Sequence, residues 1–195
     1  MKNKSFKKNA GFSLIEFIVA VLIMAIIAGV AIVAFSSIFK TETKSAARKV
    51  ADALKQTRQK AMGVENNNVL DVSNKIVASN VYAKFYTNNG EIFVDICSDF
   101  SGSEVKLHEQ KIASDSHSIE FYRIGETSPA ITVGSGSNKA YIYYKKATGG
   151  IASVKPGTSP SDAVYNDIGT IRVVSGSNTS DIVLVNVTGR SYLDE

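Results

Sequence analysis

Glu16 is the only acid in the first 41 residues, and it sits at the start of an uncharged apolar run. A carboxylate in hydrocarbon is expensive and marks a functional position. Two kinds of chemistry suit it. Ser13-Leu14-Ile15-Glu16 fits a capping box, with the Ser13 hydroxyl and the Glu16 carboxylate each taking a free N–H at a helix start. The same carboxylate can also pair with a cation, more strongly as the local dielectric falls. The two roles are compatible.

Other chemistry-bearing residues are sparse. His108 and His117 are the only histidines, both in strand-like polar contexts, and their spacing favours no serine–histidine–acid arrangement. No glycine-rich phosphate loop, cysteine pair or metal-spaced histidine motif is present. Asp162, Asp167, Asp194 and Glu195 are scattered and lack a ligand-dense loop, so they read as solvated acids rather than calcium ligands. No metal, cofactor or catalytic residue is expected. Cys97 is the single cysteine and reads as a small apolar strand residue. Tyr141 and Tyr143 share one strand face, as core or as contact surface. The Asn-Xaa-Ser/Thr triplets at Asn178 and Asn186 read as chance.

The element that must hold Glu16 is a membrane-length helix. Phe17 to Phe39 carry no charge. As a helix they span roughly 34 Å, against a hydrocarbon core of ~30 Å. Lys2, Lys4, Lys7 and Lys8 precede the run and stay inside by the positive-inside rule, which places residues from Lys40 onward on the extracytoplasmic side. The formal charge of +4 comes from those four lysines. Without them 18 basic side chains of the 22 face 18 acidic ones, which argues against a nucleic-acid surface.

Beyond the span, Ala47, Val50, Leu54 and Ala61 continue a helical pattern, with Lys49, Asp52, Lys55, Arg58 and Gln59 on other faces and Gly63 as the C′ residue. One helix from Phe12 to Met62 would measure roughly 76 Å. The alternative is a break at Ser36-Ser37 or Thr41-Glu42-Thr43. After Gly63 the period changes. Strands are expected at Val81–Tyr86, Ile92–Cys97, Val105–Ile112, Ser118–Ile124, Ala140–Lys145, Thr170–Val174 and Ile182–Val187, with Asn88-Asn89-Gly90 as a hairpin loop and 146–168 as a long loop. A long helix followed by a β-rich half is an α+β pattern. The organisation expected is a leader at 1–11, a transmembrane helix at 12–39, an amphipathic continuation at 40–63 and a β-rich globular domain at 64–195.

Lys-Lys-Asn-Ala-Gly, Phe-Ser-Leu-Ile-Glu and the following Val/Leu/Ile/Ala/Gly-rich helix together resemble the N-terminal signal of type IV prepilins and pseudopilins. The resemblance covers Lys7 to about Ala34. It implies cleavage by a prepilin peptidase between Gly11 and Phe12, N-methylation of Phe12, and a role for Glu16 in assembly through the N-terminal amine of a neighbouring subunit. Its implied partners are other pilin subunits in a helical filament, an inner-membrane assembly platform and membrane lipid, with nucleic acid only in a competence system. The implied function is structural: a minor pilin or pseudopilin of a type IV pilus, competence pseudopilus or type II secretion system, with no enzymatic activity. Leu54, Arg58 and Ala61, with Gly189-Arg190 after the strand at 182–187, are similar to the general secretion pathway H pseudopilins and their minor pilin relatives. One departure is the lack of any proline before Pro129, where many pilins kink this helix; Gly29 is the local weak point. The rival readings are an ordinary signal peptide cut after Ala31 or Ala34, and an uncleaved signal anchor carrying an extracytoplasmic binding or enzymatic domain.

Overall fold

The computed structural model describes residues 13–63, 80–100, 103–114, 116–134, 136, 138–157 and 163–194. It is an α+β chain of one helix and ten strands among those residues. The chain divides into two units, 1–38 and 39–195.

In the first unit the described residues form the first part of α1 (Leu14–Gly63). Its window Leu14–Ala31 has a mean hydropathy of 2.8 and is 0% buried. Leu, Ile, Val and Met side chains therefore face outward all round, the pattern of a membrane span rather than a core helix. The helix is assigned without interruption through Ser36-Ser37 and Thr41–Thr43, so the expected alternative of a break is not realised.

In the second unit the remainder of α1 buries a regular stripe. Thr43, Ala46, Ala47, Val50, Ala53, Leu54, Thr57 and Ala61 are all buried, at the three- and four-residue steps of one helix face. Small residues dominate, which lets the backbone approach the sheets closely. The two threonines satisfy their hydroxyls on the preceding turn, Thr43 to the Phe39 carbonyl at 2.9 Å and Thr57 to the Ala53 carbonyl at 2.7 Å.

Two five-stranded antiparallel sheets complete the unit. The strands are β1 (Asn80–Asn88), β2 (Glu91–Phe100), β3 (Ser103–Ser114), β4 (Ser118–Arg123), β5 (Pro129–Val133), β6 (Ala140–Tyr144), β7 (Ile151–Pro156), β8 (Ile168–Ser175), β9 (Asn178–Val185) and β10 (Arg190–Leu193). The first sheet is ordered β3-β2-β1-β6-β7 and the second β10-β9-β8-β4-β5. Asn89 (φ 50°) and Gly90 (φ 74°) turn β1 into β2, the paired left-handed conformations of a type I′ hairpin. Alternate residues of both sheets and the helix stripe form one core. At its centre Phe85 of β1 meets Phe121 of β4 edge-on, with ring centroids 5.5 Å apart.

The strand expectations hold for β1, β2, β3, β4, β6, β8 and β9 within a few residues. Three strands went unread, β5, β7 and β10. The expected long loop at 146–168 is corrected: it contains β7, paired with β6 from Ala140↔Pro156 to Tyr144↔Ile151. The strand at 182–187 is likewise not the last, since β10 folds back on β9.

Candidate functional site: a capped apolar helix

The helix start is built by two side chains. The Ser13 backbone N–H donates to Glu16 Oε2 at 2.9 Å, and the Glu16 backbone N–H donates to Ser13 Oγ at 3.3 Å. This is the reciprocal capping box that the spacing predicts. It satisfies two backbone donors that the first turn leaves open. It also fixes the carboxylate at the N-terminal end of the helix, where the dipole favours negative charge. A carboxylate has lone pairs for more than one donor, so a bond to the Ser13 amide does not exhaust Glu16. Gly11 and Phe12, the expected cleavage and methylation positions, lie outside the described residues.

Among the described residues, the apolar side chains from Phe17 to Val30 are all exposed. Phe17 and Ile27 are 67% and 63% exposed. Such a surface is stable only against lipid or against other apolar helices.

The other residues singled out in the sequence lie beyond α1. His108 lies on β3, exposed, and His117 in the turn before β4, buried. His117 Nδ1 is 3.1 Å from Ser116 Oγ, and among the described residues no hydrogen-bond partner meets the buried Nε2. Asp167 is gripped by Arg123 through both carboxylate oxygens. Asp162 and Glu195 lie outside the described residues. Cys97 is fully buried, and burial with Glu104 and Asp95 nearby pushes its thiol up to about 11, so it is inert.

Tyr141 and Tyr143 lie on the outer face of the first sheet rather than in its core. Tyr82 of β1 meets both, at centroid distances of 6.0 and 4.9 Å. Around them Lys84 pairs with Glu104, and Lys106 pairs with Glu109 and with the buried Asp95. The outer face of the second sheet carries a groove of about 570 Å³. There Arg172 holds Asp181 through two bonds and lies 4.9 Å from the Tyr122 ring centroid. Carboxylates thus pair with Lys84, Lys106 and Arg172 on these faces, while Lys155 lies over the Tyr143 ring, 5.5 Å from its centroid.

Residues 6–32 match the family model described as the prokaryotic N-terminal methylation motif. The match takes in Gly11, Phe12, Glu16 and the exposed apolar helix, the same register as the capped start. A prepilin-type signal on a helix able to cross a membrane supports a type IV pilin- or pseudopilin-like role in general. It also implies processing by prepilin peptidase and assembly with other pilins. Neither the curated proteins nor the solved structures yield a match to the chain.

Proposed function

We propose that this chain is a filament subunit of the pilin or pseudopilin kind, cut between Gly11 and Phe12 and N-methylated on Phe12. The observation that carries this reading is a capped, uncovered apolar helix within the matched motif. Cleavage leaves a new α-ammonium on Phe12, four residues before Glu16. In the membrane the Glu16 carboxylate stabilises that charge, and between neighbours the pair sets the depth at which a subunit docks. Lateral packing of residues 12–39 then supplies cohesion, and the β-rich extracytoplasmic domain supplies specificity. The work of the protein is assembly and display, not catalysis.

The narrower reading is a minor pilin or secretion pseudopilin of the H type. Its support is that the two segments bearing that similarity touch. Arg58 of α1 donates to the Thr188 carbonyl, directly before Gly189-Arg190.

The test is Glu16→Ala in cells that assemble the filament. The variant should be inserted and cut normally, yet be strongly depleted from the sheared filament fraction. Assembly at the wild-type level would sink the role assigned to Glu16.

A further inference from the structure

β3 runs for 12 residues at the edge of the first sheet, and among the described residues it pairs with β2 alone. Such a strand turns alternate N–H and C=O groups away from the sheet, a template for one more strand. The other sheet edges, β5, β7 and β10, have four to six residues, and Val154 of β7 is bridged to Tyr165. Residues 104–109 are all exposed, with Val105 and Leu107 at 43% and 45%. The Ile112 carbonyl, near the end of β3, takes Lys49 Nζ at 3.4 Å.

A bulge decides which side chains of β3 share a face. Lys106 pairs with Cys97 and His108 with Ile96, so Leu107 is an extra residue. Glu104 and Lys106 before it, and Glu109 and Lys111 after it, all lie on the outer face. There Glu104 meets Tyr82 and Lys84, Lys106 meets Asp95, Glu109 meets Tyr86, and Lys111 meets Glu91. This order of charges about the bulge is self-complementary when the strand is laid antiparallel to a copy of itself. Glu104 then faces Lys111, Val105 faces Gln110 and Lys106 faces Glu109, each pair on one face. Without the extra residue, positions 106 and 109 would fall on opposite faces. A slip of two residues sets Glu104 against Glu109 in one direction, and Lys106 against Lys111 in the other.

We infer that β3 is a pairing edge for a second copy of this chain, antiparallel and with Lys106 opposite Glu109. The inference is independent of the processing proposed above. It does not need the charged side chains free of their own partners, because main-chain bonds supply the attachment and the charges select the register. Glu104, Lys106, Glu109 and Lys111 stay 39%, 47%, 47% and 52% exposed beside those partners. Lysines on an edge deter a chance strand, but in this register each meets a glutamate. On the outer face Glu91, Asp95, Asp99, Glu104 and Glu109 stand against Lys84, Lys106, Lys111, Lys155 and the adjoining Lys139, so two copies meet without net repulsion.

Amide hydrogen exchange on the full chain in detergent, where no bilayer fixes the orientation of either copy, tests this. Amides of residues 104–111 should be protected in concentrated samples and lose that protection on dilution. E104K and K111E each set like charges together at both ends of the paired strands. Each variant alone should dimerise about tenfold more weakly, the scale of two reversed cross-strand pairs. Mixed in equal amounts, the two variants oppose their charges again and should regain the wild-type protection, which mixing could not restore to a chain that had failed to fold. Protection at 104–111 that does not depend on concentration would give the edge to cover from within the chain and overturn the inference. Wild-type dimerisation in either single variant, or a mixture no better than its parts, would overturn it too. Self-association that changes exchange only at residues 17–30 would assign the contact to the apolar helix instead.

Discussion

The Arg58 side chain donates from Nε to the Thr188 carbonyl oxygen at 2.7 Å, across 130 residues of sequence. This bond ties the last turns of α1 to the β9–β10 turn. Arg58 is half-buried there, and Met62 one turn on packs beside Gly149. Removing the donor leaves a carbonyl with one partner fewer in a partly dry site.

Arg58→Met keeps the apolar stem and deletes the bond. It should cost about 1–3 kcal/mol, a fall of several degrees in the melting temperature of the full chain in detergent. Arg58→Lys should recover little, because a flexible ammonium does not reproduce the planar donor. An unchanged melting temperature in Arg58→Met would show the bond to be dispensable.

Gly189 sits beside the same junction at a φ of 65°, and a Cβ built on it would lie 1.8 Å from the Gly149 carbonyl oxygen. Gly176 has a φ of 58° in the β8–β9 turn, with open space around it. The pair separates backbone strain from collision. Gly176→Ala should cost about 1–2 kcal/mol, the left-handed penalty alone. Gly189→Ala must also move a backbone carbonyl, so its loss in chemical denaturation should be clearly larger. Equal losses would mean that the junction yields freely.

His117 gives the fold a dependence on pH. Burial holds its imidazole below the ordinary histidine range, with Glu42 opposing. In the window between the folded value and about 6.5, the unfolded chain therefore binds the extra proton. The stability contributed by the neutral ring is whole above about 6.5 and is lost as pH falls through the folded-state pKa. Denaturation midpoints of the wild type should drop from pH 7.5 to pH 5. His117→Gln should flatten that drop; a parallel drop in the variant would assign the dependence to other groups.

Much of this was legible in the chain. Ser13 and Glu16 declared the cap through their spacing, and Ala47, Val50, Leu54 and Ala61 declared the buried helix face. The central strands alternate strongly, as in Ala140–Tyr144, so they could be read. The unread strands β5, β7 and β10 are all sheet edges of four to six residues. An edge strand has one neighbour and needs less patterning, and it tolerates the prolines that open β5 and close β7. The Arg58–Thr188 bond had no local signal, because its partner is a backbone carbonyl brought close only by the fold. The burial of His117 was hidden for the same reason: its cover comes from other elements.

The central claim is that this chain enters a filament pathway through a cleaved and methylated N-terminus. Intact mass and N-terminal sequencing of membrane-extracted protein, from cells with and without prepilin peptidase, test it most directly. The account predicts a peptidase-dependent start at Phe12 carrying the mass of one added methyl group, and an intact Met1 chain when the peptidase is absent. A start at Met1 in both strains, or a start just after Ala31 or Ala34, would contradict it.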